Sequence, residues 1–287
     1  MGVTLYQPHG EPRELQQLVE LACLLEVSAP KPGNINPAHD FGDTTYVDML
    51  RSALALGQTL TTQRARSRRV GQLIADGMSA TARAVATNTN LGIVLLFAPL
   101  ARAATTAREG EDLAAATERT LSELDVADAS LAFDAIASAQ PGGLSEAPEH
   151  DVRAPATVTL REAMAAAAHR DSIASEYASG YRIVFGTGLA LLVDALAEGA
   201  ATLDAVVALH LGLLARYPDT LIQRKAGVEA AEAVRAGARQ VIAGQRDVEE
   251  FDSSLRAGGN HQLNPGTTAD LVATTLLVAL LTGVELS

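Results

Sequence analysis

The stretch Glu26-Val-Ser-Ala-Pro30-Lys31-Pro32-Gly33-Asn34-Ile-Asn36-Pro37-Ala-His39-Asp40-Phe-Gly42-Asp43-Thr-Thr-Tyr46-Val-Asp48-Met49 leaves a helical pattern at Glu26 and re-enters one near Asp43. Its prolines and glycines keep it irregular. A long irregular segment between helices is functional or disordered. The loop holds a Lys, two Asn, a His and several Asp, with buried-type residues on both sides. Disordered sequence is instead repetitive and low in hydrophobicity.

Outward from this loop the chain reads as helices. Leu15, Leu18, Val19, Ala22 and Leu25 repeat at helical spacing between Glu11 and Glu26, with Pro12 in the first turn. Asp43 and Thr44 are read as the N-cap of a helix that turns Val47, Leu50, Leu54 and Leu56 inward. Further helices are expected over Val70 to Ala86, Ile93 to Ala104 with Pro99 as a kink, and Glu111 to Ala139. A Gly- and Pro-rich connector follows at about 140–156. Helical patterns resume at Thr159 to Arg170 and from Asp171, then through a uniformly apolar, buried Leu189 to Val193. A helix capped by Asp219 comes next, and a final apolar helix carries Asp270 in its first turn.

Composition agrees with helices. The 287 residues are 48% hydrophobic but only 3% aromatic, without Trp. Contacts among Ala, Leu and Val suit closely packed helices better than packed sheets. The fold class read from the sequence is all-α: one domain over 1–287, a multi-helix bundle with apolar central helices and a site at helix N-termini and loops.

A net charge of −12 opposes a nucleic-acid partner. The lone Cys23 and the lack of a secretory pattern at the start point to a reduced, cytoplasmic setting. The apolar runs Leu91 to Leu100 and Leu271 to Gly283 are too short to span a bilayer, so no membrane partner is expected. A homodimer is left open.

Arg outnumbers Lys 20 to two, so Lys31 and Lys225 mark places where a compact ammonium matters. The six Asn fall in pairs, 34/36, 88/90 and 260/264. Turns and caps account for Asn singly, and three pairs in three polar segments are harder to explain that way. Gly33 between rigid prolines permits close backbone approach, as in a phosphate cradle, although no Walker pattern is present. Asn88-Thr89-Asn90 at a helix start could cap amides or bind an anion. Together the segments offer carboxylates (Glu26, Asp40, Asp43, Glu176, Asp219, Asp270), cations (Lys31, Arg224, Lys225) and amides (Asn34, Asn88, Asn90, Asn264). Hard oxygen ligands beside cations suit Mg²⁺ and a polyphosphate, and no His/Cys cluster indicates zinc.

Pro30-Lys31-Pro32-Gly33-Asn34, Asn88-Thr89-Asn90-Leu91-Gly92, Glu176 with Gly180, Asp219-Thr220 with Arg224, and Pro265-Gly266 with Ala269-Asp270-Leu271 resemble the ordered motifs of the triphosphoribosyl-dephospho-CoA synthase family. The resemblance runs from about residue 14 to 283. It implies an all-helical enzyme that uses ATP and dephospho-CoA and releases adenine. The lyase-associated members have Asn-Thr-His-Lys-Gly where this chain has Asn88-Thr89-Asn90-Leu91-Gly92, which places it in a divergent branch and leaves the acceptor open. The implied roles are Glu176 or Asp40 as base, with Lys31 also catalytic. Lys31, Gly33, Asn34, Asn88, Asn90, Arg224, Lys225 and Asn264 would bind the nucleotide and its phosphates, and Asp43, Asp219 and Asp270 would hold Mg²⁺. Two alternatives are a Mg²⁺-dependent N-glycoside hydrolase and a non-catalytic nucleotide-binding protein.

Overall fold

A computed structural model describes residues 14–139, 149–257 and 261–286. Pro12, Asn260 and the first part of the expected connector, 140–148, lie outside them. In chain order the helices are α1 (Leu15–Ser28), α2 (Tyr46–Gly57), α3 (Thr62–Ser67), α4 (Val70–Ala84), α5 (Leu91–Thr106), α6 (Leu113–Ser122) and α7 (Val126–Ala139). The second half has α8 (Leu160–Ala167), α9 (Ser172–Ser179), a π-helical turn (Ile183–Gly188), α10 (Leu189–Ala197) and α11 (Thr202–Arg216). It ends with α12 (Thr220–Ala226), α13 (Val228–Ile242), α14 (Val248–Arg256) and α15 (Gly266–Thr282). No strand occurs among the described residues, so the all-α reading holds. No single described helix is long and apolar enough to cross a membrane.

Two apolar helices form the centre. α15 and α5 are buried along most of their length and pack on each other, with α1 and the π turn against α15 and α4 against α5. Burying such helices leaves polar side chains to satisfy. Thr274 and Thr275 of α15 donate to the carbonyls of Asp270 and Leu271, one turn earlier. A smaller cluster of Leu214, Ile222, Val234 and Phe251 ties α12, α13 and α14 to the far side of α11.

Pro99 does not end α5, and its cost is met from another helix. Proline has no N–H, so the carbonyl of Leu95 four residues earlier lacks its helical donor. The Tyr177 hydroxyl of α9 donates to that carbonyl at 2.6 Å, and Tyr181 donates to the carbonyl of Leu96 at 2.8 Å. Both tyrosines are fully buried. Gly180 and Tyr181 take positive φ where the chain bends by 94°, and the first π-turn amides, Ile183 and Val184, donate to the two Glu176 oxygens at 2.9 Å each.

Several local expectations are corrected. The cap of α2 is Thr45, in a reciprocal box with Asp48, rather than Asp43 and Thr44. The pattern from Glu111 to Ala139 divides because Asp125 and Asp128 each accept from the other's amide and start a new helix at Val126. Asp270 lies beyond the first turn of α15, which opens at Gly266. The apolar segment Leu189 to Val193 buries only Leu192, and Val193, Val47 and Leu54 are exposed.

Tyr177→Phe is expected to cost about 1–3 kcal/mol by stranding the Leu95 carbonyl. In a Pro99→Ala background, where residue 99 regains its N–H, the same change should cost less. Denaturant unfolding of the four proteins in this cycle measures the difference. Burial of Glu176 lifts its carboxyl from 4.5 to about 7, against the two amide bonds that favour the charge. The folded state therefore holds this proton more tightly than the unfolded chain. The resulting stability, of order 3 kcal/mol, is complete below pH 4.5 and is lost as pH rises through about 7. Unfolding measured from pH 4.5 to 8.5 should show this decline in the wild type and a flatter profile in Glu176→Gln.

Candidate active site

One cavity of about 850 Å³ opens where several helix ends meet. That volume is ample for a nucleotide. Its polar wall comes from Glu26 near the end of α1, Asn34 of the long loop, Asn88 and Asn90 at the head of α5, and Asp171 at the head of α9. Arg224 and Lys225 of α12, and Asn264 and Asp270 of α15 and its entry, complete that wall. An apolar wall is built by Phe133 and Ile136 of α7, Ala163 and Met164 of α8, and Val152 of the connector. Phe41 and His261 stack at 3.9 Å on the rim, bringing the long loop onto the approach to α15.

Asp270 sits against the start of α5. A Cβ on Gly92 would lie 2.0 Å from Asp270 Oδ2, so the glycine is what admits the carboxyl to the helix backbone. Burial pushes the Asp270 carboxyl well above the usual carboxylate range. The charges of Glu26, Asp219 and Asp171 push the same way, opposed by Arg224. Glu26 is held differently: Lys31 Nζ lies 2.9 Å from Glu26 Oε1 and also donates to the Glu26 carbonyl. His210 of α11 lies beside this pair with no exposure. Burial and the Lys31 ammonium drive its pKa down to about 3, so it stays uncharged at neutral pH.

The expected site residues separate into two groups. Asn34, Asn88, Asn90, Arg224, Lys225, Asn264, Asp43 and Asp270 line the cavity. Lys31 does not, because it is fully buried behind the loop in its pair with Glu26. The Gly33 amide donates to Asp252 Oδ1 at 2.7 Å, and a Cβ there would meet Pro265 at 2.8 Å and Leu255 at 2.9 Å, so the backbone expected to cradle a phosphate is engaged by the protein itself. Asp40 is exposed and accepts from the Tyr46 amide at the entry to α2. Glu176 is turned to the π turn, and neither it nor Asp40 lines the cavity.

Asp219 is also outside the cavity lining, and its oxygens are satisfied. Oδ1 accepts from the amides of Leu221 and Ile222, and Oδ2 accepts from the Thr268 amide and hydroxyl. It clamps α12 to α15. Asp43, Asp219 and Asp270 therefore form no common ligand set, and among the described residues no three His, Cys or carboxylate side chains converge as one. The residues do not fit a resident Mg²⁺ held by that triad.

Arg170 was not among the expected site residues, whereas Asp171 heads a polar helical face that the sequence offers as a candidate wall of a site. Arg170 lines the cavity without an ion-pair partner among the described residues, while Asp171 caps α9 and pairs with Arg224 at 2.6 Å. The stack of Asp171 with Ser175 and Ser179 on one helical face marks a polar edge in the sequence, but nothing there distinguishes Arg170 from the other arginines. With Lys225, which also has no carboxylate partner among the described residues, the cavity offers three cations from two neighbouring helix ends.

The profile of a family described as ATP:dephospho-CoA triphosphoribosyl transferase matches residues 12–286. Over 106 residues the chain is 34% identical to a protein of Pectobacterium carotovorum subsp. carotovorum (strain PC1) provisionally described as 2-(5''-triphosphoribosyl)-3'-dephosphocoenzyme-A synthase. That match covers 36% of this chain and 34% of the relative, about a third of its length. The fold is similar to a crystal structure from Archaeoglobus fulgidus, provisionally designated a triphosphoribosyl-dephospho-CoA synthase. The TM-score is 0.66 and the identity 25%, covering 82% of this chain and 100% of that one. The present chain belongs to the ATP:dephospho-CoA triphosphoribosyl transferase family.

Proposed function

We propose that this protein transfers the triphosphoribosyl group of ATP to the ribose 2'-hydroxyl of dephospho-CoA in the cytoplasm, releasing adenine. The bond from C1' of the ATP ribose to N9 of adenine breaks, and a bond from C1' to the acceptor oxygen forms. The leaving base takes the electron pair and needs a proton, and the acceptor hydroxyl gives one up. Such a reaction passes through a cation-like sugar and gains from an acid and a base on either side of the anomeric carbon.

The observation that carries this reading is the unlike treatment of two carboxyls in one cavity. Asp270 is pressed against α5 at Gly92 with its pKa raised, and Glu26 is tied to the Lys31 ammonium. The raised Asp270 carboxyl suits an acid, and the Lys31 contact holds the Glu26 carboxylate in place to accept. Asp270 is the proton donor to departing adenine, and Glu26 receives the proton of the acceptor hydroxyl. Arg170, Arg224 and Lys225 hold the triphosphate. Mg²⁺ enters as the counter-ion of the substrate, MgATP. The apolar wall around Phe133, Ile136 and Met164 receives the less polar arm of the acceptor. The cavity draws on both halves of the chain, which fits a single domain over 1–287.

Adenine release from MgATP, followed by chromatography, should occur with dephospho-CoA present and not without it. Release without any acceptor would mean hydrolysis, and no release in either case would contradict the transfer. Asp270→Asn is expected to lower the rate by about 10²–10⁴-fold. The wild-type rate should fall as pH rises through the Asp270 pKa, because only the protonated carboxyl donates, and the variant should lack that limb.

A further inference from the structure

Two buried asparagines in the cavity hold polar atoms that the protein does not use. Asn90 is 4% exposed and stands at the N-cap position of α5, yet its side chain makes no capping bond. The cap is supplied by Asn88, whose Oδ1 accepts from the Leu91 amide at 3.2 Å. Both Asn90 Oδ1 and Nδ2 are without a partner. Asn34 is 6% exposed, and its Nδ2 donates to Asn264 Oδ1 at 2.7 Å and to the Pro265 carbonyl at 3.5 Å; the carbonyl, which can only accept, fixes the amide's orientation and leaves Oδ1 unpaired. Native proteins rarely leave such groups buried and unsatisfied.

The pattern of what is missing identifies the ligand class. Two oxygens need hydrogens and one amide needs an acceptor. The phosphates of a nucleotide act almost wholly as acceptors at neutral pH and would leave both asparagine oxygens unsatisfied. A purine with an exocyclic amino group beside a ring nitrogen supplies both kinds of partner. Asparagine meets the N6 and N7 edge of adenine with two parallel bonds, whereas guanine offers two acceptors on that edge and would oppose the asparagine oxygen.

We propose that Asn34 and Asn90 form the adenine-recognising end of the cavity. Asn90 Oδ1 accepts from N6 and Nδ2 donates to N7, while Asn34 Oδ1 accepts the second amino hydrogen. This rests on the reading of the cavity as ATP-using, since it places the leaving base beside Asp270. It assigns to Asn90 the selection of ATP over GTP and separates the base subsite from the cations that hold the phosphates.

Calorimetric binding without acceptor tests it, using the magnesium complexes of ATP, GTP and 7-deaza-ATP, together with inorganic tripolyphosphate and dephospho-CoA. The wild type should bind ATP about 10- to 100-fold more tightly than GTP or 7-deaza-ATP. Asn90→Ala should weaken ATP to the level of 7-deaza-ATP and leave tripolyphosphate unchanged. Equal binding of ATP and 7-deaza-ATP by the wild type would overturn the subsite whatever the variant does. So would an equal loss of ATP and tripolyphosphate in Asn90→Ala, which would make this a phosphate site. Loss of dephospho-CoA binding with ATP unaffected would assign the subsite to the acceptor's adenine and overturn it as stated. Absence of ATP binding by the wild type would overturn both the subsite and the ATP-using reading.

Discussion

A buried ion pair between Lys31 and Glu26 organises the active-site side of this molecule. Both residues are almost fully enclosed, at 0% and 3% exposure. Taking two charges out of water is costly, and the pair is tolerable because the geometry is close and the ammonium also reaches the Glu26 carbonyl. Removing one partner from such a pair typically costs about 3–5 kcal/mol, since the other charge is left stranded. The pair pins the irregular loop to the end of α1. It therefore fixes Asn34 on the cavity wall and sets Glu26 beside Asp270. An uncharged His210 next to Lys31 adds no competing charge.

From that constraint follows a division of labour among residues of the same type. Six carboxylates stand out in the sequence, and the fold gives them different tasks. Asp219 joins α12 to α15, Glu176 closes the π turn, and Asp40 secures the entry to α2. Asp43, Glu26 and Asp270 face the cavity. The cations divide in the same way: Lys31 is internal, while Arg170, Arg224 and Lys225 are gathered where α12 ends and α9 begins.

Much of the architecture was legible because its signals are local. Helical periodicity, the Asp219 cap and the apolar runs of α5 and α15 depend on neighbours within a few residues. The convergence of Asn34, Asn88, Asn90 and Asn264 was legible from composition, since the pairing of asparagines into polar segments exceeded what turns require. The roles of Lys31, Gly33 and Glu176 were not legible, because each is decided by a partner the sequence does not place: the orientation of Glu26, the position of Asp252, and the π-turn amides that follow Gly180. Arg170 carried no signal among 20 arginines. The exposed face of α10 shows the limit of hydrophobicity as a guide, because a uniformly apolar segment does not say which side has a neighbour.

The proposed chemistry depends on a proton held by Asp270, whose carboxyl is pushed upward by burial and by the carboxylates around it. Difference infrared spectroscopy between the wild type and Asp270→Asn at pH 7, with aspartate isotopically labelled, observes this directly. A protonated carboxyl band that shifts with the aspartate label and is lost in the variant is the expected result. Loss of a carboxylate band in its place would show Asp270 ionised and would contradict its assignment as the acid.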